Sequence, residues 1–172
     1  MVDEVTIARG GAERIPQLEP LWESLHHHHA AVAPHLAALG PLRTPQESWL
    51  VRRGLYEEWL AEPDAFVCVA EAGGEPVGYA LVHMRAPEET WATGDRIAEL
   101  ESLAVLPEYR GRGVGRALVD AVFEELRRLD VTHWAVGVVA SNADAIRFYE
   151  RLGLLPFIRS YVGAVPSASR GA

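Results

Sequence analysis

The chain has 172 residues, of which 49% are apolar, with one cysteine and a formal net charge of −8. Such a chain is long and apolar enough to bury a core, which argues against disorder. One cysteine excludes an internal disulfide, and the acidic balance does not suit a general nucleic-acid binder. No apolar run reaches the length that spans a bilayer. The first residues, Met1 to Glu4, lack the basic and apolar regions of a signal peptide, so a cytoplasmic protein is expected.

Residues 5–9 read as a short opening strand, followed by a Gly10-Gly11 turn. From Ala12 the spacing of Ile15, Leu18, Leu21, Trp22 and Leu25 is helical, with Pro16 in the first turn and Pro34 as the stop. This helix carries His26, His27, His28 and His29, of which His26 and His29 share a face. Zinc needs three or four converging ligands, and no Cys or Asp/Glu spacing supplies the others, so no metal is expected. These histidines belong instead on a helix surface or the lip of a cleft. A second helix starts with Thr44 as N-cap, Pro45 at the first position and Glu47 completing a capping box. It ends at Glu62-Pro63-Asp64. Trp22, Trp49, Tyr56, Trp59 and Trp91 have two possible uses, an aromatic wall for a cation or core packing, and the second is the commoner.

Residues 65–72 and 76–85 are two apolar strands joined by Gly73-Gly74, hence a hairpin. Cys68, inside the first of them, is a small core residue rather than a nucleophile. A polar loop over 87–95 precedes a strand over 96–106, which carries Glu99 and Glu101. Two apart, these carboxylates point to one face unless a bulge intervenes.

Next comes Arg110-Gly111-Arg112-Gly113-Val114-Gly115-Arg116, a glycine turn that opens directly into a helix. The helix is marked by Val114, Ala117, Leu118, Ala121, Val122, Leu126 and Leu129 at helical spacing. A helix N-terminus has unpaired N–H groups and a positive dipole. Without side chains in the way, a pyrophosphate can approach those groups, and three arginines add positive charge. Beyond it, residues 132–140 form another apolar strand, expected to pair in parallel with the one over 96–106. Ser141-Asn142 caps a last helix with Ala145, Ile146, Tyr149 and Leu152 on its apolar face and Gly153 as its stop. A final strand is expected over 155–165, and a disordered tail from 166 to 172. Residues 1–165 would then form one domain.

Three kinds of glycine turn compete for the anion pocket. A nucleoside-triphosphate loop ends in Gly-Lys-Ser/Thr, and here the chain has Gly115-Arg116-Ala117. A dinucleotide turn needs its third glycine where Arg116 stands, and an acidic residue closing a second strand, whereas Asp130 ends a helix. The third kind fits at every fixed position. The run from Arg110 to Gly115 resembles the Arg/Gln-x-x-Gly-x-Gly/Ala signature of the GNAT N-acetyltransferase superfamily. Leu103, Val105, Pro107 and Tyr109 before it are similar to that family too. So is the segment from Asn142 to Gly153, which contains Phe148-Tyr149; it departs only in Leu154, where the family commonly has Phe. The resemblance is specific from about residue 65 to 162.

The resemblance implies an α/β (α+β) fold with a mixed, mostly antiparallel sheet, two splayed parallel central strands and about four flanking helices. Acetyl-CoA would lie in the opening as co-substrate. Backbone groups of Leu103, Ala104 and Val105 would hold its pantetheine arm. Arg110, Gly111, Arg112, Gly113, Val114, Gly115 and Arg116 would hold its pyrophosphate, and Asn142 and Tyr149 would sit near the arm and thioester. An alkyl amine is about 99.9% protonated at neutral pH and must lose a proton before attacking a thioester. Glu101 is the preferred acceptor of that proton and Glu99 the second choice, against the bland alternative that either is a solvated surface charge. Tyr149 is the expected acid for the leaving thiolate, and the N–H of Leu103 or Ala104 the expected oxyanion donor. The expected function is direct acetyl transfer to a small-molecule or peptide amine. The alternative is a CoA-binding module or sensor without catalysis. A homodimer is the commonest oligomer.

Overall fold

The structure, a computed structural model, describes residues 4–166. Strands β1 (Val5–Gly10), β2 (Phe66–Ala72), β3 (Glu75–Arg85), β4 (Ile97–Val105) and β5 (Trp134–Val136) form one sheet in chain order. The pairs from β1 to β4 are antiparallel, and β4–β5 is parallel. Four α-helices accompany them: α1 (Glu19–Val32), α2 (Pro45–Leu60), α3 (Val114–Arg128) and α4 (Ala143–Arg151). This is the α/β mixed sheet that the motifs imply. Two compact units can be distinguished. One comprises residues 4–28 together with Arg43–Gly137; the other comprises His29–Leu42 together with residues 138–166.

The first unit contains the whole sheet. Period-2 alternation sends Tyr79 and Leu81 to one face of β3, where Ile15, Leu18, Leu21 and Trp22 meet Trp49 and Tyr56 of α2. The opposite face is covered by α3, whose Leu118, Val119, Val122 and Leu126 are buried. α2 begins where its capping box lies: Thr44 Oγ1 accepts from the Glu47 amide (3.2 Å), and Glu47 accepts from the Thr44 amide (2.8 Å). Cys68 is buried, and burial pushes its thiol up to about 11, as suits a core residue.

In the second unit, Asn142 Oδ1 accepts from the Ala145 amide (3.2 Å) and caps α4, and Tyr149 is buried. Residues 154–166 form no helix or strand, and Leu155, Ile158, Tyr161 and Val165 are exposed. The strand expected over 155–165 therefore does not form. A strand needs a neighbour for its N–H and C=O groups, and this unit holds no other strand among the described residues. The expected tail lies almost wholly outside the described residues, Pro166 excepted.

Two further boundaries differ from the sequence expectation. Residues Ala12–Leu18 are a 3-10 segment rather than the start of α1, because Pro16 and Pro20 remove two N–H donors from the would-be first turns. β5 is three residues long, not nine, and its ladder stops at Leu100↔Val136. The next β4 residue, Glu101, is the extra residue of a bulge: Leu81 pairs Ser102 and Val82 pairs Leu100. A bulge disrupts the ladder locally, and Gly137 is a weak strand former.

Two glycines test this packing in opposite senses. A Cβ on Gly78 would lie 2.8 Å from the Ala104 carbonyl oxygen, whereas one on Gly54, inside α2, would meet nothing within 4 Å. Gly78→Ala should cost about 1–3 kcal/mol in urea unfolding. Gly54→Ala should gain about 0.5–1 kcal/mol.

Candidate active site

The glycine turn is built by backbone conformation. Pro107–Tyr109 forms a single 3-10 turn, and Gly111 (φ 70°) and Gly113 (φ 84°) then take the left-handed region that side chains disfavour. Gly113 is the N-cap of α3, and its carbonyl accepts the first helical bond, from the Ala117 amide at 2.9 Å. The amides of Val114, Gly115 and Arg116 thus precede any helical acceptor. A Cβ on Gly111 or Gly113 would meet nothing within 4 Å, so the space beside both glycines is open. Val114 turns its own side chain into the core.

The three arginines are not equivalent. Arg116 Nε donates to both oxygens of Asp120 (2.9 and 3.0 Å), which offsets its charge. Arg110 Nε donates to the Val105 carbonyl (2.9 Å) and ties the turn to the end of β4. Arg112 lies over the Tyr109 ring at 5.7 Å. Beside the turn is a cleft of about 520 Å³, lined by Pro20, Glu23, Ser24, His27 and His28 of α1 with Pro107 and Arg110. Two of the four histidines thus stand at a cleft lip, whereas His26 is buried. Among the described residues no three His, Cys, Asp or Glu side chains gather in a metal-binding arrangement.

Upstream, among the described residues, β4 is paired on both edges as far as Leu100 and on one edge thereafter. Backbone groups alternate between the edges of a strand. The Leu106 amide donates to Val77 on the β3 side (2.9 Å), so Ala104 also faces β3, while Leu103 and Val105 face the open edge. Of the two amides expected as oxyanion donors, Leu103 is the one on the open edge. The Val105 carbonyl is already engaged by Arg110.

The bulge brings Glu101 and Ser102 together on the α2 side of the sheet. Ser102 joins a buried hydroxyl chain, with Tyr56 Oη 2.6 Å from Ser102 Oγ and 2.8 Å from Tyr79 Oη. Glu101 Oε2 accepts from Arg52 Nη1 (3.3 Å), and its Oε1 lies 3.4 Å from His83 Nε2. The His83 hydrogen bond, helped by the Arg52 charge, holds the Glu101 carboxyl below its ordinary range despite partial burial. The same bond to Glu101, followed by the Glu101 and Glu62 charges, raises His83 against the effect of burial. His83 stacks on Trp59 at 4.8 Å. Arg52 sits over Trp22 at 4.4 Å. The aromatic wall therefore does hold a cation, and that cation is the chain's own arginine. Trp91, by contrast, is exposed.

Glu99 also lies on this face, where it accepts from Arg85 Nε (2.8 Å). Asn142 and Tyr149 belong to the second unit; Asn142 commits its side-chain oxygen to the α4 cap, and burial pushes the Tyr149 phenol up, keeping it protonated at neutral pH. His83 and Arg52 were not singled out from the sequence. Both were legible there: His83 continues the Tyr79–Leu81 alternation, and Arg52 stands one helical turn from Trp49 and Tyr56.

Residues 22–154 match the acetyltransferase (GNAT) family. The chain belongs to the GNAT family. An uncharacterized N-acetyltransferase of Methanocaldococcus jannaschii is 34% identical over 104 residues, 57% of this chain and 43% of its own. The [ribosomal protein bS18]-alanine N-acetyltransferase of Escherichia coli is 45% identical over 56 residues, 33% of this chain and 38% of its own. The matched region thus spans less than half of either relative. Among solved structures, the aminoglycoside N-acetyltransferase AAC(6')-Iy in complex with CoA shares the fold. Its TM-score is 0.68 at 18% identity, covering 97% of this chain and 98% of that one.

The electrostatics around Glu101 has a consequence for stability. His83 binds its proton more readily folded than unfolded, so its contribution is fully present below its ordinary value of 6.5 and is lost as pH rises through the folded value. The melting-temperature difference between wild type and His83→Gln should therefore be larger near about pH 6 than near about pH 8.5. A difference that grows with pH would contradict the pairing.

Proposed function

We propose that this protein is an acetyl-CoA-dependent N-acetyltransferase that moves the acetyl group directly to a primary amine. The observation that carries this reading is the turn at the head of α3, where Gly111 and Gly113 are left-handed with open space beside them, continuous with a β4 whose outer edge is unpaired beyond Leu100 among the described residues. The donor set fits a CoA pyrophosphate: backbone amides of residues 113–116, with Arg110 and Arg112 as cations, and Arg116 sharing its charge with Asp120. Bound there, acetyl-CoA supplies an activated acyl thioester. The open edge at Leu103 and Val105 would hold the pantetheine arm as an added strand does, with Ala104 packing beneath. The Leu103 amide would donate to the negative charge that develops on the acyl oxygen.

Glu101 is the group that takes the proton from the acceptor ammonium. It is ionised, half-buried and hydrogen-bonded, whereas Glu99 is bound to Arg85 and stands second. Tyr149, whose phenol burial keeps protonated at neutral pH, would be the proton donor to the leaving thiolate, and Asn142 caps the helix that carries it. The acceptor is a small-molecule or peptide amine. Relatives bear names of both kinds, the ribosomal alanine and the aminoglycoside enzymes. A cytoplasmic setting and a homodimer complete the reading; no described helix is long and apolar enough to cross a membrane. One observation favours the alternative, a CoA-binding module without catalysis: Glu101 is engaged by both Arg52 and His83.

Gly113→Asp places an anion and a side chain at the head of α3. Calorimetry should show acetyl-CoA binding abolished while the melting curve stays cooperative; unchanged affinity would remove the pyrophosphate assignment. Tyr149→Phe should lower turnover, measured by thiol release, by roughly 100-fold with acetyl-CoA affinity within about twofold. Equal loss of both would assign Tyr149 to binding or packing.

A further inference from the structure

Glu101 alone is a poor resting place for a proton, because Arg52 and His83 both favour its ionised form. His83 is arranged the other way. Its two ring nitrogens face two carboxylates, Nε2 toward Glu101 Oε1 at 3.4 Å and Nδ1 toward Glu62 Oε2 at 3.9 Å. Nδ1 is buried and has no hydrogen-bond partner. A neutral imidazole has one N–H and one lone pair. Whichever tautomer it adopts, its lone pair faces a carboxylate, and only the imidazolium serves both. Stacking on Trp59, with ring planes 5° apart, holds the ring in the plane that presents both nitrogens.

The other charges around His83 are accounted for. Its cross-strand neighbour Glu99 is bound by Arg85, which also reaches Glu88. Arg52 reaches the pair from α2 through the far oxygen of Glu101.

We propose that the proton leaving the acceptor amine comes to rest on His83, reached through Glu101, so that the base of this site is the Glu101–His83 pair. This rests on the transferase reading above. The ammonium N–H bond breaks, its electron pair stays on nitrogen, and the proton binds a Glu101 oxygen. That O–H then breaks as the Nε2 lone pair of His83 takes the proton, restoring the Glu101 carboxylate. After attack, the second nitrogen proton is matched by the one that the leaving thiolate receives. Overall an ammonium and a thioester give an amide, a thiol and one proton, and His83 holds that proton until water takes it. No oxidant or further reactant is needed. His83 acts through Glu101 and is a positioning residue for the proton; it accepts only when neutral, so turnover rises with pH through its folded value.

The test has two readouts on the full chain. Side-chain NMR should show His83 titrating above 6.5, and moving to lower pH in both Glu101→Gln and Glu62→Gln. Thiol release from acetyl-CoA, with kanamycin, spermidine and an alanyl peptide as probe amines, should give a pH profile whose rising limb has the same midpoint. His83→Gln should lose that limb and about 10-fold or more of the turnover, with acetyl-CoA affinity unchanged in calorimetry. A His83 midpoint that ignores Glu101→Gln, or a limb that persists in His83→Gln, overturns the proposal. If wild-type protein binds no acetyl-CoA, the transferase reading itself fails and the proposal falls with it. If it binds but no probe amine releases thiol, the NMR titration decides the pairing.

Discussion

The bulge at Glu101 is the constraint on which the site depends. Up to Leu100, β4 is held on both edges; past it the parallel partner is gone, and residues 101–105 keep only β3. One extra residue thus does two things. It ends the β4–β5 ladder, which frees an edge of backbone at Leu103 and Val105. It also turns two successive polar side chains, Glu101 and Ser102, toward α2, where alternation alone would send one of them to α3. β4 then runs through Pro107 into the glycine turn, so the unpaired edge, the carboxylate and the amides at the head of α3 all derive from one short stretch of chain.

Polar groups on a half-buried sheet face are costly unless paired. Here the pairing is dense. Tyr56, Tyr79 and Ser102 satisfy one another, and burial pushes the Tyr56 phenol up to about 12, so these hydroxyls remain neutral donors and acceptors. Arg52 lies against Trp22 and close to Tyr56 and Trp59, an arrangement worth about 0.5–2 kcal/mol where water is excluded. Its guanidinium also reaches Glu101. The carboxylate is therefore fixed in place by a cation on one oxygen and an imidazole near the other, at the cost of being a weak base by itself. The arrangement makes chemical sense when the imidazole shares the proton.

Much of this was legible in the sequence where local chemistry decides conformation. The Thr44–Glu47 capping box, the Gly73-Gly74 hairpin, the α3 stripe and the glycines at positive φ were each encoded by residues within a few positions of one another. The GNAT motifs added the fold, and the family match bears that out. What escaped the sequence depended on distant partners. β5 is short because β4 bulges opposite it, a fact of pairing rather than of the apolar run from residue 132. The apolar segment after Leu154 reads as a strand by composition but finds no strand edge among the described residues of its own unit. His83 and Arg52 follow the local strand and helix periodicities, but only the hairpin register and the α2 face bring them to Glu101.

We propose the glycine turn at the head of α3 as a CoA pyrophosphate site. Its most direct test is calorimetric titration of the pure protein with acetyl-CoA, CoA, NAD and ATP. Selective binding of acetyl-CoA and CoA, with NAD and ATP silent, is the predicted result. Binding of NAD or ATP in preference, or of none of the four, would contradict it.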